Sequence, residues 1–170
     1  MAKLGELQTA IIAAPAGIPN FAEVLVQADG AVLATPAGWD RIRIEQHLPL
    51  WGVDFQAGCF PQEASLEHLA VSFNKGCYTG QEAVFMLQKR GHVNKRLVRL
   101  QLDDAAELAA GAAITTPEGD TVGEVTSSVS DGANAYAMAL VRYKHTPTGT
   151  RLKIGERDAT VSCVSAREGC

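Results

Sequence analysis

From residue 95 onward apolar and polar residues alternate in short runs. Leu97–Leu102, Ala112–Thr115, Val122–Val129, Ala135–Val141, Arg151–Ile154 and Ala159–Val164 read as strands, with Glu118-Gly119, Asp131-Gly132, Thr148-Gly149 and Gly155 between them. Short runs of period two, punctuated by residues that accept turn conformations, predict an all-β barrel or sandwich. The texture changes near Gly91 to Asn94, which predicts an α+β chain with a partial α/β domain over residues 1–93 and a β-barrel domain over 94–170.

The first half is less regular. Two apolar runs, Ala10–Ala14 and Phe21–Val26, are separated by Pro15, Gly17 and Pro19. The second run alternates as a strand would, and Asp29-Gly30 suits a hairpin. Trp39, Ile42, Ile44 and Leu48, interspersed with Arg41, Arg43 and Glu45, suit a helix or a helix running into an extended segment. It should end before Pro49, because the residue preceding a proline is pushed out of helical geometry. Trp51 to Pro61 reads as a structured loop. Thr79-Gly80-Gln81-Glu82 has the form of a capping box, so a helix is expected from Gly80 to Arg90, with Thr79 as its cap and Gly91 at its end.

Composition narrows the functional classes. The chain of 170 residues carries 46% hydrophobic and 20% charged residues, a globular balance, and a formal charge of -4. That charge gives no general attraction to nucleic acid or to an anionic membrane surface. A basic stretch of Lys89, Arg90, Lys95, Arg96 and Arg99 is either a solvated helix end and strand edge or a face for an anionic ligand. The apolar stretch Thr9–Ile18 lacks the flanks of a signal peptide, no run reaches the ~20 residues of a membrane span, and a cytoplasmic location is expected. Cys59, Cys77, Cys163 and Cys170 lack metal-ligand or disulfide spacing, so no metal site and four free thiols in a reducing compartment are expected.

Cys77 stands out among them. It lies just ahead of the expected helix N-terminus, two residues after Lys75, and both features favour the reactive thiolate if the thiol faces the helix end. Gly76 and Gly80 allow a tight turn that can hold a side chain in the open. The alternative is a buried, inert thiol packed as a small hydrophobe. Lys75 and Gln81 can donate to an anionic or heterocyclic ligand, and Tyr78 can stack on a flat ring or anchor the core. Glu82 fits the capping box better than catalysis. Glu23, inside an apolar run, needs a partner: the N–H donors of a heterocycle, or an arginine such as Arg41 or Arg43. His47, His68, His92 and His145 assemble no nucleophile-base-acid set.

The run Lys75-Gly76-Cys77-Tyr78-Thr79-Gly80-Gln81-Glu82 resembles the signature of YgfZ-type folate-binding proteins, relatives of the glycine cleavage T-protein. Arg43-Ile44-Glu45, Gly52-Val53-Asp54, Pro61-Gln62-Glu63-Ala64, Val71-Ser72-Phe73, Lys95-Arg96-Leu97 and Val122-Gly123-Glu124-Val125-Thr126-Ser127 fit the same pattern. The resemblance implies the C-terminal part of an aminomethyltransferase-like fold followed by its barrel. It also implies tetrahydrofolate binding coupled to maintenance of iron-sulfur proteins, with iron-sulfur proteins or assembly factors as partners. In this reading Cys77 is the working thiol, assisted by Lys75 and Gln81, while Glu23, Arg43 and Tyr78 are candidates to contact folate. Family members are usually longer, so folate binding by this chain is expected to be weak unless a second copy completes the site. The competing readings are a folate-dependent one-carbon transferase and a non-catalytic barrel that serves as an interaction module.

Overall fold

The computed structural model describes residues 2–3, 9–10, 23–24, 27, 34–105 and 108–165. Its contacts divide the chain into two compact units, Met1–Trp39 and Asp40–Cys170. In the first, β1 (Ala2–Lys3) pairs antiparallel with β2 (Thr9–Ala10). Glu23, Val24 and Gln27 are helical and exposed, which corrects the strand expected over Phe21–Val26. The hairpin expected at Asp29-Gly30 lies outside the described residues. Helix α1 (Pro36–Glu45) runs from the first unit into the second, and Thr35 begins it. The Thr35 hydroxyl accepts from Gly38 N at 3.1 Å, and Pro36 occupies the first helical position, where its missing N–H costs no bond.

The second unit is built on a closed six-stranded barrel. Its strands are β3 (Lys95–Leu102), β4 (Ala113–Thr115), β5 (Thr121–Ser130), β6 (Ala135–Arg142), β7 (Arg151–Ile154) and β8 (Arg157–Cys163). They follow the order β3-β6-β5-β4-β7-β8 around the barrel, all antiparallel. Alternation along each strand decides what fills it. Val98, Leu100 and Leu102 of β3 and Ala135, Ala137, Ala139 and Val141 of β6 are buried in one cluster with Ile114, Val122, Val125, Leu152, Ile154, Ala159 and Val161. The intervening residues Leu97 and Met138 point the other way and are also fully buried, because Ile44 of α1 packs on them. Burial of such side chains stabilises by roughly 1.5–3 kcal/mol each, so α1 is held to the outside of the barrel by apolar contact.

The end of α1 is specified by backbone geometry. His47 takes a left-handed conformation with φ of 53°, His47 N donates to Ile44 O and Leu48 N donates to Arg43 O, the reciprocal pair of a Schellman turn. Arg99 of β3 donates to the carbonyl of Glu45 and so satisfies the last turn with a cation, as the helix dipole favours. The His47 ring is carried into the interior, with Nδ1 3.4 Å from Cys163 Sγ and Nε2 without a hydrogen-bond partner among the described residues. Burial, assisted by Arg99 and Arg96, pushes its pKa down to about 3.

A buried carboxylate ties α1, the following loop and the barrel together. Asp54 Oδ2 accepts from Arg43 Nη1 at 2.7 Å and from Leu50 N at 2.9 Å, while Oδ1 accepts from Thr126 Oγ1 at 2.5 Å and Ser127 Oγ at 2.7 Å. Adjacent residues of a regular strand point to opposite faces and could not both reach one carboxylate oxygen. The ladder shifts register between Val125 and Ser127, and this bulge at Thr126 lets both hydroxyls meet Asp54. Arg43 is completed by Asp40, which accepts from Nε at 2.6 Å. These ties, with the Ile44 contact, account for residues 40–93 clustering with the barrel and not with the preceding segment.

Two expectations follow. Asp54→Asn removes the buried carboxylate from Arg43, leaving only the half-exposed Asp40 to pair with it, and should destabilise the chain by about 3 kcal/mol, read by denaturant unfolding; an unchanged midpoint would show that the network contributes nothing. For His47, the folded pKa of about 3 lies below the unfolded value near 6.5, so its contribution is fully present above pH ~6.5 and is lost as pH falls toward 3. His47→Asn, which tolerates the left-handed turn, should therefore flatten the acid limb of the stability curve over that interval.

Candidate functional site

The signature loop is held between two docked supports. On one side, the turns around residues 61–70 lie against β3. Leu97 N donates to Glu63 O at 2.7 Å, Ser65 Oγ donates to Leu97 O at 2.8 Å, and Arg96 pairs with the buried Glu67. On the other side stands helix α2 (Gln81–Arg90), whose carbonyl at Val84 accepts from the buried Gln62 Nε2 at 2.8 Å. Val84 is the buried apolar residue of this helix, while Phe85 and Met86 are exposed. Residues 71–80 connect the supports without regular structure.

Within that loop the side chains meet in part. Lys75 Nζ sits over the Tyr78 ring, 4.6 Å from its centroid, a cation–π contact. Gln81 turns back from the first turn of α2, and its Oε1 accepts from Tyr78 N at 3.4 Å. Cys77, between them in sequence, is a free and exposed thiol. The expectation of an open cysteine on a short turn thus describes its surroundings better than the buried alternative. The capping box is corrected: Gly80, with φ of 85°, occupies the cap position of α2, and no side chain caps the helix. A left-handed backbone at Gly80 turns Thr79 away from the cap geometry, which needs extended angles at the hydroxyl-bearing residue. Glu82 is exposed in the first turn, where a carboxylate suits the helix dipole.

The other cysteines differ from Cys77. Cys59 is half-buried, and burial together with the neighbouring Glu63 pushes its pKa up to about 11. Cys163 is disulfide-bonded, which corrects the expectation of four free thiols. Cys170 lies outside the described residues. No cluster of His, Cys, Asp or Glu among the described residues could hold a metal ion.

The folate candidates are placed less simply. Glu23 is exposed and helical, so the argument that a buried carboxylate there demands a partner does not apply. Arg43 is 3% exposed and directs Nε to Asp40 and Nη1 to Asp54 and Ser127. Its Nη2 makes no hydrogen bond among the described residues. Tyr78 is half-buried, with Lys75 on its ring. The two cavities described, of about 360 and 210 Å³, are lined by none of these three residues. Asp54, Gln62 and Ser65, which brace Arg43 and the signature loop, carry no chemical motif of their own; Asp54 and Gln62 are visible in the sequence only as part of the family pattern, and Ser65 is not marked at all.

Comparison with known proteins agrees with this architecture. Residues 94–165 match the family model described as CAF17, C-terminal beta-barrel domain. The chain is 37% identical over 122 residues to the tRNA-modifying protein YgfZ of Vibrio vulnificus, covering 71% of this chain and 35% of that protein. It is 30% identical over 131 residues to the mitochondrial iron-sulfur cluster assembly factor IBA57 of Mus musculus, covering 70% of this chain and 36% of that one. The chain thus spans about a third of the length of these relatives. In structure it is similar to the glycine cleavage system aminomethyltransferase T from Bartonella henselae, with a TM-score of 0.71 at 26% identity, over 87% of this chain and 43% of that one. The signature loop, the barrel and these likenesses agree: the chain belongs to the YgfZ-type folate-binding family of the glycine cleavage T-protein superfamily and matches its C-terminal portion.

Proposed function

We propose that this chain supports the assembly or repair of iron-sulfur proteins, as part of a folate-binding protein whose working group is the Cys77 thiol. The observation that carries the reading is the exposure of Cys77 on a loop braced from both sides, next to a lysine and an aromatic ring that already touch. Thiolates are the nucleophilic and metal-binding form of cysteine, and an accessible site beside a cation favours them. Lys75 supplies the cation, Gln81 fixes the backbone at Tyr78, and Tyr78 offers the flat surface a pterin would need. Arg43 would offer its remaining Nη2 donor to a folate carboxylate, and Glu23 would serve pterin N–H groups. Partners in this proposal are iron-sulfur proteins or their assembly factors, and the location is cytoplasmic. No helix among the described residues is long and apolar enough to cross a membrane. The mouse relative is named for iron-sulfur cluster assembly, which supports this role, whereas the bacterial relative is named for tRNA modification.

Three measurements test the reading. In cells lacking their own YgfZ-type protein, this chain should restore the activity of an iron-sulfur enzyme and Cys77→Ser should not; equal rescue by the serine variant would remove Cys77 from the mechanism. Limited alkylation mapped by mass spectrometry at neutral pH should label Cys77 well before Cys59, whose thiol stays protonated until the pH nears about 11. Preferential labelling of Cys59 would contradict the structural basis of the proposal. Calorimetric titration of the whole chain with tetrahydrofolate should give a dissociation constant above roughly 100 μM, because an open wall leaves most of the ligand in water. A low-micromolar constant would show that the chain closes a pocket of its own.

A further inference from the structure

The basic stretch read from the sequence is dispersed by folding. Arg96 pairs with Glu67, Arg99 reaches Glu45 and Ser162, and Lys89 lies over Phe85. Lys95 instead joins Arg142 and Lys144, residues far from it in sequence, around a cavity of about 360 Å³. That volume is at the small end of the range for small-molecule sites. None of the signature residues lines it, so it is distinct from the site proposed above.

Its charges are not those of an ordinary strand edge. Lys95 and Arg142 stand directly opposite each other in the β3–β6 register, an arrangement of like charges that destabilises a sheet. Neither they nor Lys144 forms an ion pair with a carboxylate among the described residues. The chain has 19 acidic against 15 basic residues, so carboxylates to relieve this repulsion are plentiful. One, Glu124, lines the adjoining cavity of about 210 Å³ that shares Lys95 and Arg142, and it pairs with neither.

The cavity also has a fixed flat wall. His92 and Tyr143 stack with ring centroids 4.6 Å apart at 25°. Tyr143 N donates to Asn94 O at 2.9 Å, and Tyr143 O accepts from Thr146 Oγ1 at 2.8 Å, so the backbone under the ring is held at both ends. Tyr143 remains 40% exposed, which leaves aromatic surface for a second plane. We propose that this cleft binds a small planar ligand carrying a compact dianion, with Lys95, Arg142 and Lys144 around the charge and Tyr143 against the plane. The dianion would relieve the Lys95–Arg142 repulsion, and stacking would favour a ligand that joins ring and charge over either alone.

Phosphate and paired carboxylates share the required charge, so the test uses both on the whole chain: adenosine monophosphate and isophthalate, with adenosine and inorganic phosphate as the separated parts. Binding is followed by NMR shift perturbation. At least one of the joined ligands should perturb Lys95, Arg142 and Tyr143, bind at least about tenfold tighter than its separated parts, and weaken as salt is raised. Arg142→Gln and Lys95→Gln should each weaken it by roughly tenfold, while their thermal midpoints stay level or rise as the like-charge pair is removed. Which joined ligand binds identifies the source of the dianion. Absence of binding by both, binding unchanged in Arg142→Gln and Tyr143→Leu, or inorganic phosphate binding as tightly as the joined ligand would overturn the proposal.

Discussion

The Asp54 carboxylate determines how the rest of the second unit is organised. It receives four hydrogen bonds, one from the helix, one from its own loop and two from the barrel strand β5. A buried charge of this kind is tolerable only when every lone pair is satisfied, and it is costly to leave half-paired. The consequence is specificity of docking: apolar contact at Ile44, Leu97 and Met138 would accept small rotations of α1, whereas Arg43, Asp54 and the two hydroxyls accept one arrangement. That arrangement in turn sets the start of the loop that leads through Gln62 and Ser65 to the signature. The barrel serves here as a foundation, and the polar network sets the angle of what is built on it.

The barrel was legible because its information is local and repeated. Period-two alternation with glycine turns marked six strands, and the observed Arg151–Ile154 strand has the bounds read from sequence. The extra residue of the β5 bulge was not legible, since Thr126-Ser127 reads as ordinary alternation until a partner strand shows the register shift. The start of helix α1 is poorly marked in the sequence. Thr35-Pro36 is a good cap and first turn, but the apolar periodicity begins only at Trp39. At Thr79 the motif is present and the cap is not. The Thr-x-x-Glu spacing satisfied the motif, but Gly80 between them can take a conformation that withdraws the hydroxyl, and the motif says nothing about that residue.

The candidate site was legible in its centre and illegible in its supports. Lys75, Cys77, Tyr78 and Gln81 are adjacent in sequence, so any fold keeps them near one another, and their contacts express that proximity. Arg43 is different: its partners Asp54 and Ser127 lie 11 and 84 residues away, whereas the sequence pointed only to Glu23 as a partner for Arg41 or Arg43. Glu23 sits in a run whose alternation implies a buried strand, and its helical, exposed position removes the need for a partner.

Rigidity and openness are divided between different residues, and this division fits the work expected of a reactive thiol. A cysteine that must meet a large partner has to stand clear of the protein, yet a loop left wholly free would pay ordering entropy at every encounter. Here the ordering is done by groups bonded to the protein's own backbone and side chains. Gln62 holds Val84, Ser65 and Glu67 hold β3, and Gln81 holds the backbone at Tyr78. Gly80, with φ of 85°, then permits the sharp entry into α2. Substitutions at the supports would therefore act on Cys77 through its position, while substitutions at Lys75 would act on it through charge, and the two kinds of effect need not accompany one another.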